Sequence, residues 1–266
     1  MMHNREIVLK SVNKPEDRLV LAKLLDRAEL AAKTNKLVHT EFLDPHQVAL
    51  ADSVLASLDI CEYTFYGGFP GAEREIAVFR PDFISDDEMK QYIGETLKAL
   101  EITPNARGSL SHRDYLGAMM GLGIRREVTG DIIVSEEKCC IIALSEMAGY
   151  IAGNLFKVGN TGVSLVIQES LNVSVPEPAV TEIKTTVAAL RLDSLCAPAF
   201  GVSRSKAEEF IKAGRVNLNW ETVQNPDKAV REGDTVSLKG KGRAVLEKVG
   251  GRTRKDRLMI YIKKFV

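Results

Sequence analysis

Cysteine is scarce in this chain: the four residues Cys61, Cys139, Cys140 and Cys196 show no C-x-x-C spacing among 266 positions. That pattern argues against a disulfide framework or a thiolate metal site, and no cysteine and histidine share a ligand spacing. The thiols read as reduced and partly buried, in a cytoplasmic protein. Long apolar runs are missing too. The most apolar window, Cys139 to Phe156, is broken by Ser145, Glu146 and Asn154 and cannot cross a bilayer as a clean span. No secretory signal is expected, because Met1 to Lys10 carries charges without an apolar core behind them. Net charge is also absent, with 36 basic against 36 acidic side chains. What the chain does have is length and 45% hydrophobic content, enough for two or three ordinary domains with real cores.

The zero balance conceals a dipole. From Val187 to Val266 there are 17 lysines and arginines against 9 aspartates and glutamates, a net +8, which leaves 19 against 27, a net −8, for residues 1–186. An acidic body with a basic C-terminal unit suggests a polyanionic partner for one end only.

Residues Pro15 to Thr34 place apolar positions at helical spacing, and Asp44 with Pro45 forms a cap and first-turn pair opening a second helix to about Leu58. Glu62 to Tyr66 and Glu75 to Phe79 read as strands of a hairpin joined by Gly67, Gly68, Phe69, Pro70 and Gly71. The acidic run Ser85 to Glu88 marks a first boundary, and Pro176 with Pro178 a short stiff linker. Between them the order is β-α-β-β-α-β, from a strand at Thr96 to Thr103 through a helix at Ser111 to Leu122 to a last strand at Val163 to Glu169. This is the ferredoxin-like arrangement of many RNA-recognition modules. Its stacking aromatics are missing: the third strand offers Lys138, Cys139, Cys140, Ile141 and Ile142, so base stacking on that sheet is not expected. The expected class is α+β, with a helical N-terminal domain and hairpin (residues 1–82), a ferredoxin-like middle domain (85–176) and a C-terminal unit of two helices and a small sheet (181–266).

In that last unit Leu192, Leu195, Cys196, Ala199 and Phe200 form one helical stripe that Gly201 ends. Ser203 is placed to cap a second helix, with Ser205 and Glu208 as a competing capping box. At 100° per residue, Arg204 and Arg215 fall within about 20° of each other on its border, with Lys212 further round. Lys239, Gly240, Lys241, Gly242 and Arg243 make a basic loop whose glycines let cations and backbone amides approach phosphate.

Arg191-Leu192-Asp193, Ser203-Arg204-Ser205-Lys206-Ala207, Ile211, Gly214, Val216, Asn219 and Gly233-Asp234 resemble the S4 RNA-binding domain. Upstream, Phe42-Leu43-Asp44-Pro45, Gly67-Gly68, Ala72-Glu73-Arg74, His112 to Gly117, Gly121 to Glu127 and Gly130-Asp131-Ile132 resemble the YlmH family, bacterial S4-domain proteins encoded near cell-division genes. The resemblance spans nearly the whole chain. It implies a ribosome-associated protein acting in translation on structured RNA, large-subunit rRNA with tRNA, and in rescue of stalled ribosomes. It further implies phosphate contacts at Arg191, Ser203, Arg204, Lys206 and Arg215. Pro198 departs from a smooth first helix and is expected to shorten or kink it.

Middle-domain candidates are Arg113, beside His112 in the first turn of a helix capped by Ser111, and the adjacent Arg125 and Arg126. A bound anion would account for cations at a helix start, and so would charge offset by Asp114. Asp193 reads as a structural carboxylate rather than a catalytic acid, Asn219 as a turn residue, and Arg252, Arg254, Lys255 and Arg257 as a solvated loop or a phosphate contact.

Rival classes are an RNA-modifying enzyme that uses the S4 domain for targeting and a protein-interaction module in cell division, docking through the N-terminal domain. Against the first, the only R-L-D lies inside the S4 signature, and Gly121 to Gly123 follows a helix, the wrong context for a cofactor loop. No enzyme activity, cofactor or metal is expected. Replacing Arg204 and Arg215 together is expected to weaken RNA binding while leaving folding intact.

Overall fold

The computed structural model describes residues 2–265 apart from 13, 59, 107–109, 174 and 176–179, so the expected linker prolines Pro176 and Pro178 lie outside the described residues. The chain forms two compact units, Met1–Pro176 and Glu177–Val266.

The first unit opens with α1 (Met2–Ser11), which the sequence pattern did not reveal, and α2 (Pro15–Thr34). There follow β1 (Val38–His39), α3 (Pro45–Leu58), β2 (Glu62–Tyr66) and β3 (Ile76–Arg80). Asp44 caps α3 reciprocally: its carboxylate accepts the Gln47 amide at 2.9 Å, and the Gln47 side chain accepts the Asp44 amide at 2.9 Å. The three strands pair antiparallel in the order β1-β3-β2.

The acidic run expected at a boundary is the first turn of α4 (Asp86–Thr96). Ser85 accepts the Glu88 amide at 3.3 Å, and Glu88 accepts the Ser85 amide at 2.9 Å. Three carboxylates in that turn complement the helix dipole. Beyond it lie β4 (Leu97–Pro104), α5 (His112–Gly121), β5 (Thr129–Val134), β6 (Cys139–Leu144), α6 (Ser145–Asn154), β7 (Lys157–Val158) and β8 (Thr161–Gln168). The sheet runs β5-β6-β4-β8-β7, and the pairs β5–β6, β6–β4 and β4–β8 are antiparallel, the ferredoxin-like order with the short β7 added at one edge.

Strand β3 welds this sheet to the N-terminal segment. Its side chains alternate: Ala77 and Phe79 join the core of α2 and α3 with Leu21, Leu24, Val54 and Leu55, whereas Ile76 and Val78 join the core with Leu100, Tyr115, Ile141 and Ile142. Residues 1–82 and 85–176 therefore share buried surface. Close backbone approach seals the contact. A Cβ on Gly67 would sit 2.2 Å from the Arg74 carbonyl oxygen, and one on Gly130 would sit 2.7 Å from the Phe42 ring. Because the obstruction at Gly67 is backbone, Gly67→Ala is expected to cost about 3 kcal/mol, at the upper end of overpacking effects. Calorimetry would read this as a lower melting temperature for the first unit; an unchanged midpoint contradicts the close approach.

The second unit comprises β9 (Val180–Val187), α7 (Leu192–Phe200), α8 (Arg204–Lys212), β10 (Val216–Leu218), β11 (Glu221–Thr222), β12 (Thr235–Leu238), β13 (Gly242–Arg252) and β14 (Leu258–Phe265). Its antiparallel sheet, ordered β11-β10-β12-β13-β14-β9, has six strands and is larger than expected, because the basic tail is itself a long hairpin and β9 pairs along β14. Helices α7 and α8 cover it, burying Leu192, Leu195, Phe200, Ala207 and Ile211 against Val236, Leu246 and Ile260. Pro198 lies within the nine-residue α7, which stops at Gly201, whose φ is 62°.

Candidate nucleic-acid interface

One carboxylate organises the two helices of the second unit. Asp193, in the first turn of α7, is fully buried and accepts the Ser194 amide at 2.7 Å, Arg204 Nε at 2.6 Å and the Arg191 guanidinium at 3.3 Å. Arg191 also pairs with Asp227, and Arg204 lies 3.9 Å from Glu208. Burial by itself would raise the Asp193 pKa. The Arg204 and Ser194 hydrogen bonds and the two guanidinium charges outweigh it and hold the carboxyl below its ordinary range. The amides of Leu192 and Asp193 donate to the carbonyls of Lys228 and Pro226, so the start of α7 is closed by backbone. Ser203 is engaged as a helix cap, accepting the Lys206 amide at 3.2 Å, and its hydroxyl lies 3.1 Å from that of Ser205.

Arg191 and Arg204 are thus anchored cations. The Arg204 side chain nevertheless keeps 51% of its surface exposed. Removing Arg204 would strip a partner from a buried carboxylate, which corrects the expectation that an Arg204 and Arg215 double replacement leaves folding intact.

The shared helical edge of Arg204 and Arg215 is also corrected. Helix α8 ends at Lys212, and Gly214 turns the chain with a φ of 66°, so Arg215 is not on the helix. Its guanidinium lies 4.6 Å from the centre of the Phe210 ring and donates to the Lys239 carbonyl at 3.1 Å. Lys206 lies 5.2 Å from the same ring and pairs with Glu209 at 2.7 Å.

Arg215 belongs instead to a cationic end of the sheet. The Lys239 amide donates back to the Arg215 carbonyl at 3.1 Å, which ties the start of β10 to the end of β12. Lys241 lies in the turn to β13, whose Gly240 and Gly242 have φ of 86° and 90°. Arg243 opposite Ser237 stacks 4.4 Å from the Phe265 ring, and Lys212 occupies the last turn of α8, three residues before Arg215. Lys212, Arg215, Lys239 and Lys241 are exposed, and none has a carboxylate within ion-pair distance among the described residues. At the far hairpin tip, Arg252 pairs with Asp256 at 2.6 Å and Arg257 donates to the Thr186 carbonyl at 2.6 Å, leaving Arg254 and Lys255 exposed.

In the first unit, Arg113 is exposed beside Asp114, whose carboxylate accepts both the amide and the hydroxyl of Ser111. Arg125 is exposed but paired with Glu41. Arg126 points inward and donates to the Thr129 carbonyl at 3.2 Å, the Thr129 hydroxyl at 2.8 Å and the Gly130 carbonyl at 2.6 Å. Burial first, and then the neighbouring Arg74 charge, push its pKa down to about 10. Arg74 donates to the carbonyls of Thr129, Phe42 and Arg126 at 3.1, 3.2 and 3.2 Å, while Asp131 accepts the amides of Glu73 and Arg74. In the sequence Arg74 stands out only as part of a motif. Its role as the polar hub of the seam has no local signal, since its acceptors lie 32 to 55 residues away.

Part of the sheet face is occupied at Ile142, whereas Val166 on the same face is 58% exposed. Ile142 of β6 packs within 3.0 Å of where a Gly68 Cβ would stand. Burial raises the thiols of Cys139, Cys140 and Cys196, the last two to about 11 and about 12, which makes them poor nucleophiles at neutral pH. Among the described residues no group of three or more His, Cys, Asp or Glu side chains could hold a metal, and no helix is long and apolar enough to cross a membrane.

Three family models match the chain: "YlmH, N-terminal" over residues 16–83, "Putative RNA-binding domain in YlmH" over 95–172 and "S4 domain" over 190–236. The chain is 32% identical over 243 residues, 91% of its own length and 93% of the relative's, to the ribosome-associated protein quality control protein P2 of Bacillus subtilis (strain 168). Among solved structures it is similar to the cell division protein ylmH from Streptococcus pneumoniae, with a TM-score of 0.50 and 22% identity, covering 59% of this chain and 94% of that one. At that identity the likeness is one of fold.

Proposed function

The chain belongs to the YlmH family of S4-domain proteins, and from that premise we propose that it binds structured RNA without acting on it chemically. Its ligands are large-subunit rRNA and tRNA on the ribosome, and its task is the rescue of stalled ribosomes. The observation that carries this reading is the set of exposed cations Arg215, Lys239 and Lys241 at one end of the second unit's sheet, with Lys212 in the last turn of α8, without carboxylates to neutralise them among the described residues. A folded polyanion presents phosphates to such a surface, and release of its counterions drives association. The name of the Bacillus relative, which speaks of ribosome-associated quality control, supports the same destination. In this reading Arg191, Ser203, Arg204 and Lys206 shape the helical face, Arg243 extends the cationic end, and Arg113 and Arg125 offer secondary contacts from the first unit. Arg126, committed to backbone acceptors, would reach RNA only by giving them up.

Titrating the protein with labelled tRNA and a large-subunit rRNA fragment at several salt concentrations tests the proposal. With about four phosphates neutralised, the logarithm of affinity is expected to fall against the logarithm of salt with a slope of about −3. A nearly flat slope contradicts an electrostatic RNA interface and favours an interaction module.

A further inference from the structure

The connection from β10 to β11 is a two-residue turn, Asn219-Trp220, between the paired residues Leu218 and Glu221. Both turn residues have positive φ, 48° and 65°. Such turns match hairpin twist and favour asparagine followed by glycine, because glycine has no Cβ to clash in the left-handed region. Asn219 suits its place. Its side chain donates to Asp234 at 2.8 Å and accepts the Thr235 amide at 2.9 Å, so the turn is clamped. Trp220 does not suit its place: a bulky side chain in this conformation is a strained outlier.

Burial would ordinarily offset such strain, since an indole ring has a large area to hide. Here the chain's single tryptophan is 41% exposed. Its ring makes no hydrogen bond and no aromatic or cation contact among the described residues. The backbone here is thus strained, and about two-fifths of the residue's surface is left open to solvent.

Resting on the RNA-binding reading above, we propose that Trp220 is a platform on which an unpaired base of the bound RNA stacks. The ring stands on a fixed hairpin tip at the other end of β10 from Arg215, about 15 Å along the strand and within reach of a few nucleotides. Asp234, which accepts the Asn219 side chain, brings a carboxylate rather than a cation to this turn, whereas the face of a nucleobase is uncharged. Stacking on an exposed aromatic ring tolerates any base and needs no hydrogen-bond partner. The cationic end would hold the backbone while Trp220 distinguishes an open loop from a continuous duplex.

Two variants of the full chain, Trp220→Gly and Trp220→Phe, test this with a labelled RNA hairpin bearing a single-stranded loop and a blunt duplex of equal length. In the parent protein, hairpin but not duplex is expected to quench tryptophan fluorescence. Trp220→Gly is expected to melt at a higher temperature, bind the hairpin about tenfold or more weakly and keep the same salt slope, while Trp220→Phe retains most of the affinity. Unchanged hairpin affinity in Trp220→Gly overturns the proposal, as does a lower melting temperature, which would show that the ring packs for folding. Failure of the parent protein to bind either RNA removes the RNA-binding reading together with this one; binding that is indifferent to Trp220 removes this one alone.

Discussion

Replacing Arg215, Lys239 and Lys241 together by alanine is expected to weaken binding of tRNA or an rRNA fragment about a hundredfold at 0.15 M salt. Each neutralised phosphate contributes roughly 0.7 to 0.9 to the salt slope, which at that concentration is about four- to fivefold in affinity per phosphate. Three such factors multiply to about a hundredfold, and the slope should flatten from about −3 to about −1. Folding should survive, because all three side chains are exposed and none balances a buried charge. The Arg215 hydrogen bond to the Lys239 carbonyl disappears in this variant, but it is exposed and water can replace it. Circular dichroism with melting curves would separate unfolding from weakened affinity. Retained affinity with an unchanged slope would move the interface elsewhere, to the hairpin tip at Arg254 and Lys255 or to the first unit.

Asp193→Ala is expected to have the largest effect on stability in the second unit. The substitution deletes the acceptor of the Ser194 amide and releases Arg191 and Arg204, which hold the start of α7 to α8 and to the 226–229 segment. Breaking a buried ion pair outright costs about 3 to 5 kcal/mol, but both guanidiniums reach water here, so about 2 to 3 kcal/mol is the expected loss. In a unit of this size that corresponds to a melting temperature lower by about 10 °C or more. The pH dependence has a definite sign. The folded pKa of Asp193 lies below the ordinary value of 3.8, so the carboxylate's contribution is complete above that value and lost as pH falls through the lowered one. Asp193→Asn should accordingly show a shallower acid limb than the parent. A cycle pairing Asp193→Ala with Arg204→Ala should be clearly non-additive, and additive losses would sink the proposed node.

Elements with a strong local pattern were legible in the sequence. α2, the Asp44-capped α3, the β2–β3 hairpin and the β-α-β-β-α-β order follow from apolar period, caps and glycines, each a property of neighbouring residues. α1 has little apolar stripe and so leaves no local signal, and the start of α4 resembles a charged boundary because its capping box is itself acidic. The angular relation drawn between Arg204 and Arg215 assumed an unbroken helix. One left-handed glycine, Gly214, ended it two residues after Lys212.

The seam of the first unit shows the same division. Phe42, Gly67, Arg74, Arg126, Gly130 and Asp131 were all conspicuous as motif residues, yet their purpose lay in one another's positions across up to 88 places of chain. Glycine at 67 means nothing until the Arg74 carbonyl arrives where a Cβ would be. Asp193 was readable as structural from its place near a helix start, whereas its two arginine partners were read as phosphate contacts, because a charge in a sequence carries no record of what it pairs with.

By itself the sequence pointed to a polyanionic partner and determined the type of each strongly patterned element, since the uneven spread of charge along the chain, periodicity and capping are all read from the order of residues. Tertiary structure alone decided which cations remain free to meet a polyanion. An ion pair's strength depends on distance and burial, and those are fixed only when residues remote along the chain are packed together.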